Sequence, residues 1–468
     1  MTATIDHNTL HRTAKYFMDS GKAATADAAM ELLRGFAVNV EIDAEAAASP
    51  LGQIALLSFV NLARRTFLGG VEVVGQLEVP TIGLLMPGMT LDAAVRALGG
   101  SVADAPGAPR PTILIGGGTA RGSPAWRLHW REWSGGVLPA SGTGHVPDEA
   151  AMPLTPMLAA AVAVGEAFSY FAGDHPMAGR RAAGLSLWDL SADWLTAEAA
   201  PALALLPSRL GLLGLGNLGQ AYAWALACLP YSASAGAELL LQDFDIVGVS
   251  NDSTSMLSRL DLVGRKKTRA VAAWLDARGF TTIIEERRFN QATRWSPDDP
   301  GAVLCGVDSG TVRSGLDDAS FPLIVEAGLG AGPNSFRSIA IHTLPASRPS
   351  SQIWCTTEGD SFDPSVMPAY DALKSEGMDD CGLVQLASRT VGVPFVGAIA
   401  ATLAVAELLR RLHGGPGLEV ASLSTLSLEE IERVAMETPI YSHGHVEAGD
   451  ATLKREDVEA TSATRAGK

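Results

Sequence analysis

Three glycines, Gly214, Gly216 and Gly219, stand at G-x-G-x-x-G spacing in RLGLLGLGNLGQ (residues 209–220), behind an apolar run and ahead of a helical pattern. Such a loop lets the backbone approach a phosphate closely, and the start of the following helix offers unpaired N–H groups and a partial positive charge. The glycines imply affinity for phosphate and leave open whether it belongs to a nicotinamide dinucleotide or to a triphosphate. Asp243, near the end of the next apolar run AELLLQDFD, can accept hydrogen bonds from ribose hydroxyls in either case. Four cysteines, Cys228, Cys305, Cys355 and Cys381, form no C-x-x-C pair, which argues against a disulfide framework and a structural zinc site.

These residues need elements to position them. Residues 208–290 read strand, glycine loop, helix, strand, and the earlier segments GFAVNVEI, LGQIALLSFVNLARRTFLG and GVEVVGQLEVP repeat that order without the glycine fingerprint. Two small-residue helical segments, from Pro153 and from Pro394, carry a glutamate at the same offset, Glu166 and Glu407, which suggests a duplication. The expected organisation is two α/β halves, 1–198 and 199–441, with a crossover segment around 345–390 and a flexible tail over 442–468 in which His443 and His445 are solvated. The apolar run 391–409 approaches membrane-span length, but Pro394 and Glu407 make it a buried core helix. With 47% hydrophobic residues the chain can bury a real core, and a net charge of −16 disfavours nucleic acid and anionic membrane surfaces as partners. The segment MTATIDHNTLHRT lacks the apolar stretch of a secretion signal, so a cytoplasmic location is expected.

Past Asp243 the sequence departs from a dehydrogenase: LLLQDFDIVGVSNDSTSMLSRLDLVGRKKTRAVAAWL has a second aspartate, a Ser-Asn pair and a basic cluster at a helix start. It resembles the adenylating enzymes that activate ubiquitin and its relatives, together with their bacterial cousins ThiF and MoeB. In their pattern D-x-D-x-V-x-x-S-N, then Arg-Gln, then V-G-x-x-K, this chain places Asp243, Asp245, Val247, Ser250, Asn251, Val263, Gly264 and Lys267. The resemblance implies two Rossmann-like adenylation folds in tandem, mostly parallel sheets flanked by helices, the N-terminal one inactive and the C-terminal one active. It implies ATP and Mg²⁺, with Gly214, Gly216, Gly219, Asp243, Asp245, Asn251 and Lys267 around the nucleotide. Asp308 in AVLCGVDSGTVRSGLDDA becomes the magnesium carboxylate and Arg313 its structural companion, while VEAGLGAGP (325–333) resembles the strand beneath the substrate's tail. The family's arginine that reaches from one domain to the other's nucleotide corresponds to Arg12 in LHRTAKYF, with Arg64 or Arg65 in LARRTFLGG as alternatives.

One departure stands out. Thr254 and Ser255 replace the Arg-Gln pair whose arginine reaches the phosphates; Arg259, Arg265 or Lys266 are candidates to compensate. The activity implied is adenylation of the terminal carboxylate of a ubiquitin-like protein, thioester formation on a cysteine, and transfer to a ubiquitin-conjugating-enzyme-like protein. Cys381, in MDDCGLVQLASRTVGVPFVG, is the expected nucleophile, because the relatives' reactive cysteine precedes the terminal core helix and a helix start lowers a thiol pKa. Cys355 in IWCTTEGD is second, and Cys228 and Cys305 are expected in the core. Fused halves without zinc cysteines resemble the activating enzyme of a bacterial ubiquitin-like conjugation system, of the kind found in antiphage operons. The other readings are a ThiF/MoeB-like enzyme of sulfur transfer, and a catalytically weak scaffold that binds a ubiquitin-like protein. The fused halves already make a pseudo-dimer, and a homodimer of whole chains is compatible with that.

Overall fold

The computed structural model describes residues 8–120, 122–140, 150–196, 199–232, 237–290, 292–354, 363–436 and 441–449. Cys355 lies outside the described residues, as do 450–468.

The first half builds a seven-stranded sheet from β1 (Ala37–Ile42), β2 (Gly70–Val74), β3 (Ser101–Ala103), β4 (Thr112–Ile115), β5 (Ala125–Arg131), β6 (Ser134–Pro139) and β7 (Ala183–Ser186), in the order β3-β2-β1-β4-β5-β6-β7. After β8 (Leu205–Pro207), the second half builds an eight-stranded sheet from β9 (Arg209–Leu213), β10 (Glu238–Gln242), β11 (Thr281–Glu285), β12 (Ala302–Cys305), β13 (Leu323–Leu329), β14 (Ser338–Leu344), β15 (Gly417–Ser424) and β16 (Ser427–Met436). Its order, β11-β10-β9-β12-β13-β14-β15-β16, repeats the first sheet strand for strand and adds β16 at the edge. In each sheet the first five strands in that order run parallel and the rest antiparallel. Parallel strands are covered on both faces by helices and so read as unbroken apolar runs. TILI of β4 and AVLC of β12 are buried at every position.

The halves meet along two 19-residue helices, Leu154–Ala172 and Pro394–Leu412, which pack against each other. Small residues allow the close approach: a Cβ on Gly165 would lie 3.3 Å from the Phe395 ring. The two glutamates that suggested a repeat are buried and paired, Glu166 with Arg181 and Glu407 with both Arg410 and Arg411. A buried carboxylate needs such partners, since an unpaired buried charge costs several kcal/mol. Leu154–Ala172 is long and apolar enough to cross a membrane, yet 89% of that stretch is buried inside the protein. The other long apolar run is the expected core helix.

The expected flexible tail starts too early. β17 (His445–Glu447) pairs antiparallel with β8, and Val446 packs against the core. His443 is partly buried against Gly301 and the Tyr441 ring, whereas His445 is exposed. Backbone pairing, which a three-residue polar strand does not advertise in its sequence, holds this segment.

Candidate nucleotide-binding site

In the second sheet the strand order reverses between β9 and β12, which in open α/β sheets opens a crevice at the carboxyl ends of the strands. Gly214 follows β9 at once with φ +79°, a conformation open to glycine, and donates its N–H to Gln242 O at 2.9 Å. A Cβ on Gly219 would lie 1.9 Å from Gly214 O, so only glycine lets the helix Asn217–Cys228 fold back so tightly on the loop. Nothing lies within 4 Å of where a Gly216 Cβ would be, and Gly216 caps the helix with no side-chain acceptor. The first-turn N–H groups therefore have no side-chain partner at that cap. Gly306 N–H donates to Leu213 O at 2.8 Å, which fixes the exit of β12 beside the exit of β9 and leaves Asp308 exposed two residues on.

The acidic motif braces the loop. Buried Asp243 accepts Leu215 N–H at 2.6 Å with one oxygen and Asp245 N–H at 2.8 Å with the other. Its carboxylate thus sets the shape of the glycine loop, and each oxygen keeps a lone pair for a ligand hydroxyl. Asn251 accepts Gly248 N–H at 2.8 Å and closes the next turn. Lys267, first residue of the helix Lys267–Asp276, holds Asp245 at 2.9 Å. Gln220, which sequence reasoning passed over, donates to Leu215 O and Ser258 Oγ, both at 3.0 Å, and accepts Leu257 N–H. Its place directly after the third glycine was the only available signal.

Arg313 is buried and structural. It donates to Val307 O at 2.6 Å and Ala327 O at 3.2 Å, pairs with buried Glu326 and lies over Trp354. His342 faces the other Glu326 oxygen at 3.0 Å.

The N-terminal segment crosses onto this site like a strap. Asn8 O accepts Ser250 N–H at 2.8 Å, Arg12 N–H donates to Ser253 Oγ at 3.1 Å, and Thr13 donates its hydroxyl to Gly392 O. The Arg12 guanidinium donates to Thr390 O and to Thr390 Oγ1, the latter at 2.7 Å. Burial, with Arg389 adding to it and Asp308 and Asp19 acting against it, lowers its pKa to about 10, so it stays charged at neutral pH. Arg389 and Thr390 were missed in the sequence because nothing local marks them.

Arg64 and Arg65 turn away from the loop and tie the halves together. Arg64 makes a two-pronged contact with Asp252 at 2.9 Å on each prong, and buried Arg65 donates to Asp252 O, Met256 O and Ser258 O. Burial lowers the Arg65 pKa to about 9. Two of the proposed compensating cations are engaged elsewhere: Arg259 pairs with Asp261 and Lys266 donates to Phe244 O. Arg265 is exposed and lines, with Arg259, a cleft of about 620 Å³ between the halves.

Cys381 stands apart from this cluster. It is exposed on its own short helix, Asp380–Ala387, rather than at the start of the core helix. Asp379 caps that helix by accepting Gly382 N–H at 2.7 Å, so this donor is not free for the thiolate. Gln385 Nε2 lies 3.5 Å from Sγ. The preceding helix Pro368–Ser375 is joined to the strap: Tyr370 donates to Asp19 at 2.8 Å, and Lys15 pairs with Asp19. Cys228 and Cys305 are buried, and burial raises both thiols, Cys305 to about 12.

The strand order, the loop at its reversal and the acid-and-lysine motif beside it define a protein of the E1-like class. Residues 37–187 match the BilD N-terminal domain and residues 206–415 the BilD C-terminal domain. The chain is 53% identical over 453 residues to the bacterial E1-like protein BilD of Collimonas sp. (strain OK412), covering 96% of this chain and 98% of that one. It belongs to the BilD family of bacterial E1-like proteins. Among solved structures, E. coli MccB with succinimide is similar at 14% identity over 49% of this chain and 63% of its own, with a TM-score of 0.31. PaaA is similar at 17% identity over 49% of this chain and 73% of its own, with a TM-score of 0.30. The chain thus spans less than two thirds of MccB.

Proposed function

We propose that the second half adenylates the terminal carboxylate of a ubiquitin-like protein and that Cys381 then receives the acyl group. The observation that carries this reading is the convergence, at one strand reversal, of an uncapped helix start, a lysine, an exposed aspartate and an arginine from the other half. A carboxylate attacking phosphate is anion against anion, so the site must neutralise charge before it can position the partners. Gly216 and the helix start receive phosphate oxygens through N–H groups, and Lys267 and Arg12 supply positive charge. Asp243 and Asp245 are placed to hold ribose.

Among the described residues no three His, Cys, Asp or Glu side chains gather into a metal cage. Asp308 would touch a magnesium ion carried in on the triphosphate, since that hydrated cation usually takes only one or two carboxylates from a protein. When bound, the ion supplies charge neutralisation to the phosphates.

A carboxylate oxygen of the protein substrate forms a bond to the α-phosphorus, the bond from that phosphorus to the bridging oxygen breaks, and pyrophosphate leaves. The Cys381 thiolate then attacks the acyl carbon and AMP leaves, giving a thioester that a conjugating-enzyme-like protein can accept. In this reading residues 1–198 form the inactive half, residues 199–441 the active one, and the protein works in the cytoplasm within a ubiquitin-like conjugation operon of the antiphage kind. The experiment supplies the purified protein with a candidate bacterial ubiquitin-like protein and with ATP. Partner-dependent AMP and pyrophosphate are expected, with a reductant-sensitive adduct that Cys381→Ala loses while pyrophosphate exchange persists. No AMP and no pyrophosphate would overturn the reading.

A further inference from the structure

Thr254 stands where the resemblance places a phosphate-binding arginine, and the space that a longer side chain would need is already filled. Thr254 and Ser255 are buried. A Cβ on Gly392 would lie 2.8 Å from Thr254 Cγ2 and 3.3 Å from Arg12 Cβ, so the crossover loop and the strap close over Thr254 together. The same loop carries Arg389, exposed, with Nη2 donating to Asn8 Oδ1 at 3.3 Å. Arg389 and Arg12 repel each other, and the carboxylates that act on Arg12 are Asp308 and Asp19. Asp19 is already paired with Lys15 and accepts from Tyr370. Two guanidinium groups held close, with Asp308 as the remaining facing carboxylate, form an arrangement that a polyanion relieves.

We propose that Arg389, on the crossover loop, is a phosphate-binding residue that acts with Arg12 on the outer phosphates of ATP, replacing the arginine absent at Thr254. This rests on the nucleotide reading above and adds to it a residue and a division of labour. The glycine loop and Asp243 hold the nucleoside and its first phosphate; the two arginines discriminate the triphosphate from the monophosphate. One arginine comes from the strap and the other from the crossover loop, so both segments contribute to recognition of the outer phosphates.

The test is calorimetric titration of the full-length protein with Mg-ATP and, separately, with AMP, which lacks the outer phosphates. For Arg389→Ala the account expects ATP affinity to fall about tenfold or more, the scale of one lost charge-assisted contact, with AMP affinity changed less than about twofold. Arg389→Lys should recover part of the ATP affinity. Arg389 is exposed, so the melting temperature should hold, which separates loss of contact from loss of fold. An unchanged ATP-to-AMP ratio in Arg389→Ala would overturn the proposal and leave the nucleotide reading standing. Failure of the wild-type protein to bind Mg-ATP would overturn both.

Discussion

The two halves share a strand order, and they differ in where each keeps a carboxylate beside the strand reversal. The residue after β9 is Gly214; the residue after β1, its counterpart, is Asp43. Asp43 caps its own helix Ala44–Ala48, accepting Ala46 N–H at 2.8 Å and Gly117 N–H at 2.6 Å. A Cβ on Gly116 would fall 2.2 Å from that carboxylate. The anion at the helix start of the first half is thus part of the protein, whereas Gly214 brings no side chain to that position in the second half. The third residue after the neighbouring strand reverses the pattern: Gly118 after β4, Asp308 after β12. One carboxylate sits inside the first crevice and one at the edge of the second.

The largest effect on this comparison is expected from Gly219→Ala. The new methyl would meet Gly214 O, a backbone atom, so the loop must open; a loss of ATP affinity of about 100-fold and of roughly 3 kcal/mol of stability should follow. Titration calorimetry and urea unfolding read the two quantities. Next comes Arg65→Ala, which removes a buried charge holding three carbonyls of the opposite half and should cost about 3 kcal/mol, seen as a lower urea midpoint. Asp43→Ala should cost only about 1 kcal/mol, the ordinary worth of a helix cap, and leave ATP affinity within about twofold. A large loss of ATP binding in Asp43→Ala would break the claim that the two crevices are independent.

The smallest expected effect depends on pH. His11 lies in the strap near Asp252, Arg64 and Arg65. Burial lowers its pKa to about 4, with Asp252 acting against the shift and the two arginines adding to it. The unfolded chain takes up the proton first, near pH 6.5, so the contribution of His11 is whole above that pH and is lost as pH falls toward 4. Urea midpoints of wild type and His11→Asn, compared at pH 7.5 and 4.5, should diverge, with wild type losing more on acidification.

Much of the second half was legible because its chemistry is contiguous. Gly214 to Gly219 and Asp243 to Lys267 are runs in which spacing itself carries the geometry. The mixed α/β architecture was legible too, since buried parallel strands such as TILI and AVLC show themselves as unbroken apolar tracts. What the sequence hid depends on contacts between distant segments. Nothing local in the sequence marks Asp43 or Arg389, and His445–Glu447 reads as part of a polar tail, until the fold brings Gly117, Arg12 and β8 beside them. Cys381 shows the same limit on a smaller scale, because a break at Ser388–Val393 separates its helix from the core helix that the apolar run suggested.

The most direct test of the central claim is the stoichiometry of Mg-ATP binding to the whole chain, measured by titration calorimetry with the Gly219→Ala and Asp43→Ala variants alongside. One site per chain is expected, weakened about 100-fold by the first variant and retained by the second. Two sites, or one site whose affinity Gly219→Ala leaves unchanged, would contradict this.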